Sequence, residues 1–253
     1  MARGGGKARQ GMNNWLYGVN PLREALRAGR RPEEVYLLKG KTLPEELHKL
    51  LKRYEIVPTQ VPRSFFAAFP KGHQGVAGLF KTEKAERSLS IDDLLSLPDK
   101  EPPFYLLIDG VTDPHNLGAI LRSAEFLGIK GVVMEKHRVA GGSIVTKTSA
   151  GASEHIVTVR VPNIKHAIEK MKRQGVTVIG AEADGTHLPW EVDLTGGVAL
   201  VVGSEGRGIR ETVRRKCDLI VRIPQLGMVS SLNVSVAAGI LLYEVRRQRA
   251  LAL

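Results

Sequence analysis

The sequence predicts an α/β protein in two parts: a parallel-sheet α/β domain over residues 104–253 and a smaller α/β domain over residues 15–80. Three observations carry that expectation. From Phe104 onward, continuous runs of Val, Ile and Leu alternate with helix-like segments, the pattern of parallel strands covered on both faces by crossover helices. Upstream, shorter apolar runs alternate with amphipathic segments, as in a layered α/β unit. Between them, residues 81–103 (KTEKAERSLSIDDLLSLPDKEPP) are charged, end in a Pro pair and read as a connector with one weak helical patch.

Each element follows from local chemistry. Residues 1–14 (MARGGGKARQGMNN) are basic, Gly-rich and poor in large apolar side chains, which predicts a disordered tail. Gly4-Gly5-Gly6-Lys7 is not a phosphate-binding loop, because the G-x-x-x-x-G-K-[ST] spacing is missing and no strand precedes it. Pro21 can start a helix whose Leu22, Ala25 and Leu26 share a face, and Gly29 can stop it. Val35–Leu38 reads as a strand and Leu43–Tyr54 as a helix with Leu47, Leu50 and Leu51 inward. Ile56-Val57 and Gly75–Phe80 are shorter strand candidates. In the larger part the expected strands are Tyr105–Ile108, Gly131–Met134, Ile156–Val161, Val176–Ala181, Val198–Val202 and Leu219–Ile223. The expected helices are Leu117–Leu127, Ile164–Gln174, Ile209–Arg215 and Val234–Arg249. No internal repeat of 20–50 residues is present.

The formal charge of +11 points to a polyanionic partner, with a merely solvated basic surface as the bland alternative. The excess is spread over the chain, +3 in residues 1–14, +5 in 15–80 and +5 in 104–253, and is relieved only by −2 in 81–103. Cys217 is the only cysteine, which excludes an intramolecular disulfide and fits a reducing cytoplasm; it reads as a packing residue. No apolar stretch approaches the roughly 20 residues of a membrane span, and the N-terminus lacks a signal-like apolar core. A soluble, cytoplasmic protein is expected.

Three motifs carry the candidate chemistry. The first, Asp109-Gly-Val-Thr-Asp-Pro-His-Asn-Leu-Gly-Ala-Ile-Leu-Arg-Ser-Ala-Glu125, follows a strand; Asp113-Pro114 makes a turn and Asn116 can cap a helix. Leu117, Ile120, Leu121 and Ala124 form its buried face. That leaves Arg122 on the flank, able to grip a phosphate bidentately or to pair on the surface with Glu125 or Glu169. The second, Val201-Val-Gly-Ser-Glu-Gly-Arg-Gly208, is a tight loop holding Glu205, which either orients Asn116, Arg122 or a ligand, or bonds loop amides. The Rossmann order G-x-G-x-x-G after the first strand is absent, which weighs against NAD. The third, Ile223-Pro-Gln-Leu-Gly-Met-Val-Ser-Ser-Leu-Asn-Val-Ser-Val-Ala-Ala-Gly239, opens the last helix, with Ser231 as a turn residue and Asn233 as an N-cap. Backbone N–H groups at such strand exits make a seat for a nucleotide-like ligand. His115 reads as an exposed loop histidine, and no spacing of His, Cys, Asp or Glu suggests a metal site.

In order and spacing the three motifs resemble those of the SpoU family of RNA 2′-O-ribose methyltransferases, over nearly the whole chain after the first fifteen residues. The resemblance implies S-adenosylmethionine (AdoMet) as methyl donor, bound in a bent form, mostly through backbone groups at positions matching Gly203, Ile223 and Leu232. It implies Asn116, Arg122, Glu205, Ser231 and Asn233 as the catalytic set, with Arg122 matching the arginine proposed to activate the hydroxyl. A guanidinium keeps its proton, with a pKa above about 12. Holding the phosphate and stabilising the developing alkoxide is therefore the gentler role for Arg122. The resemblance further implies a deep trefoil knot in the C-terminal domain, a homodimer through that domain, and an RNA-recognising N-terminal domain similar to ribosomal protein L30e. Gly141–Ala150, read as a helix capped by Ser143, would border the RNA cleft. Within the family, the extra N-terminal domain points to the branch that methylates guanosine in 23S ribosomal RNA. The rivals are the tRNA guanosine branch, which usually lacks that domain, a resistance-type rRNA adenosine enzyme, and a catalytically silent RNA-binding homologue, which would not need the five residues together.

Overall fold

The computed structural model describes residues 14–81, 89–136, 149, 151–229 and 231–252, which fall into two compact units. One comprises 14–81 with Ser149 and 151–155; the other comprises the rest. The tail 1–14 (apart from Asn14) and the helix expected over 141–150 (apart from Ser149) lie outside the described residues.

In the first unit, strands β1 (Trp15–Tyr17), β2 (Glu34–Leu38), β3 (Thr59–Val61) and β4 (Val76–Leu79) form a sheet of order β1-β4-β2-β3. β4 runs antiparallel to β1 and β2, and β2 runs parallel to β3. Side chains alternate across a strand, and β2 uses both faces. Val35 and Leu37 pack against Leu22, Leu26, Leu47 and Leu51 of α1 (Val19–Arg27) and α2 (Glu45–Arg53). Tyr36 points the other way, into an aromatic cluster with Trp15, Tyr17, Phe66 and Phe69, where a 3-10 helix spans Arg63–Ala68. Pro21 sits in the first turn of α1, where its missing N–H is not needed. The strand expected at Ile56-Val57 is displaced to Thr59–Val61: Glu55 is left-handed (φ 56), Val57 is 87% exposed, and Pro58 cannot donate to a ladder, so pairing starts beyond it. β1 was not among the expected strands.

The second unit holds α3 (Ile91–Leu95), β5 (Phe104–Asp109), α4 (Pro114–Phe126), β6 (Gly131–Glu135), β7 (Thr158–Val161), α5 (Ile164–Arg173), β8 (Thr177–Ala181), β9 (Val198–Gly203), α6 (Glu211–Arg214), β10 (Leu219–Val221) and α7 (Val234–Leu251). Its six-stranded sheet has the order β10-β8-β9-β5-β6-β7 with every neighbouring pair parallel. β5 and β9 are buried at every residue, which explains their uninterrupted apolar runs. The weak helical patch expected within 81–103 is α3, and it packs into this unit. Ser90 and Asp93 form a capping box that starts α3, and Ile91, Leu94 and Leu95 are buried in the core of this unit. The periodicity was too short there to outweigh the charge around it.

Strand order fixes where a ligand can sit. From β5 the chain winds outward through β6 and β7, then returns to the opposite side with β8, β9 and β10. The winding direction reverses between β5 and β9, whose ends align at Asp109↔Gly203. The carboxyl ends of the strands at such a reversal leave a crevice for ligands.

Candidate active site

Three segments surround this switch point: the β5–α4 turn, the β9–α6 loop and the β10–α7 segment. In the first, Asp113 and not Asn116 caps α4; its carboxylate accepts from the backbone N–H of His115 (3.1 Å) and Asn116 (3.3 Å), with Pro114 at the first helical position. Proline is preorganised for that position, so the helix starts three residues earlier than expected. Asn116 is thereby released from capping and is only 8% exposed.

In the second segment, the Ser204–Gly208 loop is closed by two backbone hydrogen bonds of 3.0 and 2.9 Å. A Cβ on Gly203 would lie 2.0 Å from the Gly208 carbonyl carbon, so only glycine lets the loop fold back onto the strand end. The closed loop leaves Glu205 exposed.

In the third, Asn233 caps α7 through its side-chain oxygen, which accepts from Ser235 N (2.9 Å) and Oγ (2.5 Å). Its amide nitrogen donates to Asn116 Oδ1 (2.9 Å) and to Glu205 Oε1 (2.7 Å). Asn233 is therefore a helix cap and the hub of a three-residue cluster, with one residue from each motif. The cap expected at Asn233 is met by its amide oxygen, and the amide nitrogen is left to link the other two motifs.

The other candidates stand apart from that cluster. Arg122 is exposed on α4 and makes no ion pair among the described residues; Glu169, one of its expected surface partners, pairs with Lys216 at 2.7 Å. Ser231 is exposed, Ile223 is half-buried and Leu232 is exposed. Among the described residues, the backbone groups of 223–229, 231 and 232 make no backbone–backbone hydrogen bond. His115 is exposed on the first turn of α4. Cys217 packs against the core, and burial pushes its thiol pKa up to about 12, which leaves it inert as a nucleophile. Among the described residues, no group of three His, Cys, Asp or Glu comes together that could hold a metal ion.

Sequence reasoning missed the residues that hold the loop. Asp109, Glu135 and Glu182 end or follow β5, β6 and β8. Asp109 accepts from Arg210 N (2.9 Å) and Nε (2.7 Å), and Glu135 accepts from Arg210 Nη2 (2.7 Å). The hydrogen-bonded Asp109 raises the Arg210 pKa, so the guanidinium stays charged. Glu182 accepts from Ile209 N, while burial raises its own pKa. The exit of the Ser204–Gly208 loop is thus clamped by acids at the ends of three strands. The readable signal was a carboxylate closing each apolar run, Leu-Ile-Asp109, Val-Met-Glu135 and Ala-Glu182.

Residues 103–243 match the profile of the SpoU rRNA methylase family, and residues 15–85 match that of the RNA 2′-O ribose methyltransferase substrate-binding family. The chain is 37% identical over 246 residues to the 23S rRNA (guanosine-2′-O-)-methyltransferase RlmB of Vibrio parahaemolyticus, covering 94% of this chain and 98% of that protein. It is also 37% identical over 245 residues to RlmB of Escherichia coli, covering 94% and 100%. Among solved structures it resembles the SpoU methyltransferase AviRb from Streptomyces viridochromogenes, in complex with AdoMet. The TM-score is 0.77 at 26% identity, with 93% of this chain and 90% of that one covered.

Proposed function

The chain belongs to the SpoU rRNA methylase family, and from that premise we propose that it transfers the methyl group of AdoMet to the 2′-hydroxyl of a guanosine ribose in 23S ribosomal RNA. The observation that carries this reading is the Asn116–Asn233–Glu205 cluster: residues from three separate motifs, up to 117 positions apart, meet at the strand ends of the topological switch point. A protein that only bound RNA would not need an amide held in one orientation between a second amide and a carboxylate.

AdoMet fits the donors here through main chain. Among the described residues, 223–229, 231 and 232 offer backbone groups uncommitted to backbone–backbone hydrogen bonds, beside the apolar side chains of Ile223 and Leu232. With Gly203 at the end of β9, these are the positions assigned to cofactor binding. When bound, AdoMet supplies an electrophilic methyl group on a sulfonium. The chain's own residues do the rest. Arg122, exposed and without an ion pair among the described residues, grips the phosphate beside the reacting ribose with its planar fork and stabilises the alkoxide as it develops. Asn233 holds Glu205 and Asn116 in register, and the exposed Ser231, two residues before Asn233 in the chain, supplies a hydroxyl contact for the ribose. Glu205, exposed and held by Asn233, orients the substrate.

The division of labour assigns 15–80 to RNA recognition, as a domain of the L30e type, and 104–253 to AdoMet and chemistry, with a deep trefoil knot in the latter. A homodimer through that domain is supported by exposed apolar side chains on α7, Val236, Ile240 and Tyr243, and by Met228 and Val229 upstream, an unusual display for a solitary surface. The decisive test incubates the protein with methyl-labelled AdoMet and deproteinised 23S rRNA or tRNA, followed by alkaline hydrolysis. A labelled, alkali-resistant dinucleotide carrying guanosine, from 23S rRNA, is expected. Label on a base, or only in tRNA, would overturn the reading.

A further inference from the structure

The first unit contains a groove of ≈460 Å³ that no role above uses. Its floor is Leu38, Ala67 and the His73 ring, which covers Phe66 (2% exposed), and its rim carries Lys41 and Arg63. Among the described residues, no acidic one lines it. Lys41 and Arg63 are exposed and have no ion pair among the described residues. His73 lies flat on Phe66, ring centroids 4.7 Å apart and 11° between planes. The His73 ring is fixed, because Nδ1 accepts from Gly75 N at 3.0 Å; the proton is therefore on Nε2, which is a donor. The turn beneath is held too: Gln74 is left-handed (φ 52), and its side-chain oxygen accepts from Val19 N at 2.8 Å. The groove is thus preformed.

We infer that this groove takes one unstacked nucleotide of single-stranded RNA, its base on the His73 ring that Phe66 backs and its phosphates against Lys41 and Arg63. The inference rests on the RNA-methylating function proposed above and adds a site to it. An apolar, aromatic floor ringed only by cations complements a base attached to phosphates. Duplex RNA would meet the rim with its phosphates but leave the floor uncovered, since its bases are stacked inside. A concave volume of several hundred Å³ suits a small ligand or one nucleotide, not a helix.

The test uses the full-length protein and a 23S rRNA transcript containing 4-thiouridine. Photo-crosslinked peptides are mapped by mass spectrometry, and RNA affinity is measured over a range of salt for wild type and for Lys41→Ala/Arg63→Ala. Adducts at His73, Ala67 or Leu38 are expected. The double variant should bind RNA about tenfold more weakly, with a salt slope flatter by roughly 0.7 for each single-strand phosphate it no longer neutralises. AdoMet affinity by calorimetry and the melting temperature should not change, because both substituted residues are exposed and in the first unit. A protein that methylates the transcript but crosslinks only outside 38–41 and 63–75, or a double variant with the wild-type slope, would overturn the site. A wild-type protein that neither binds nor methylates the transcript would instead reject the RNA-methylating function itself.

Discussion

Replacing Asn233 by Asp separates its two jobs. A carboxylate oxygen can still accept from Ser235 N, now at 2.9 Å, so the cap on α7 survives. The amide hydrogens that reach Asn116 (2.9 Å) and Glu205 (2.7 Å) are gone, and a second carboxylate faces Glu205. The bond to Asn116 is neutral and contributes about 0.5–1.5 kcal/mol net. The bond to Glu205 is charge-assisted, but both groups are exposed, so water reduces it to about 1 kcal/mol. Asn233→Asp should thus lose on the order of 1–3 kcal/mol, and Asn233→Ala about 1 kcal/mol more through loss of the cap. The catalytic effect should be far larger than the stability effect: losing a preorganised polar group at a reacting centre slows the rate by about 10²–10³. The assays are denaturant unfolding and single-turnover methylation at saturating AdoMet. If the two variants differ in stability by that amount, and Asn233→Asp methylates within a few fold of wild type, Asn233 is only a cap and the cluster is not catalytic.

Three other positions test the same geometry. Arg122→Ala should lose most single-turnover methylation while binding AdoMet normally, and Arg122→Lys should rescue little, because a point charge does not reproduce the fork; a near wild-type rate in Arg122→Ala would leave it a surface residue. Gly203→Ala should destabilise the loop strongly, since its Cβ would sit 2.0 Å from the Gly208 carbonyl carbon, so AdoMet affinity and thermal stability should fall together; an unchanged melting temperature refutes the close approach. Burial raises the Glu182 pKa from 4.5, so the wild-type protein should lose stability as pH rises from about 4.5 through the raised value, where the buried carboxyl ionises. Glu182→Gln keeps an acceptor for Ile209 N and should flatten that part of the stability–pH curve; a variant whose deficit grows toward neutral pH would show that the charge stabilises the loop.

Much of the fold was legible because the physics was local. β5, β6, β8 and β9 are buried on both faces, so they read as continuous apolar runs, and the structure places them within about two residues of the expected ends. Where pairing depended on a partner, the sequence was mute. β1 is three residues whose strand character comes from lying against β4, and β3 begins after Pro58 because of a proline and a left-handed Glu55 rather than because Thr59-Gln60 favours a strand. The buried face of α3 occupies barely one turn inside a charged stretch, enough to register as a weak helical patch but too short to mark it as part of the core.

The site divides in the same way. Asn116, Glu205 and Asn233 could be picked out singly, since each is a polar residue at a turn or helix entry. Their meeting depends on the winding reversal between β5 and β9, which strand lengths do not encode. The supporting acids were harder to see because an acid after an apolar run looks like an ordinary strand end. Their partners explain the difference in kind. Asp109 and Glu135 are buried and spent on one guanidinium, and Glu182 is spent on a backbone amide. Glu205 alone among the loop's carboxylates is exposed and held by a neutral amide rather than a cation. A carboxylate neutralised by arginine makes a rigid clamp but has little left for a ligand, whereas one steadied by an amide keeps its full charge and a second oxygen. Rigid anchoring of the loop exit at Ile209-Arg210 is what permits Glu205, four residues before Ile209, to remain exposed and still be placed.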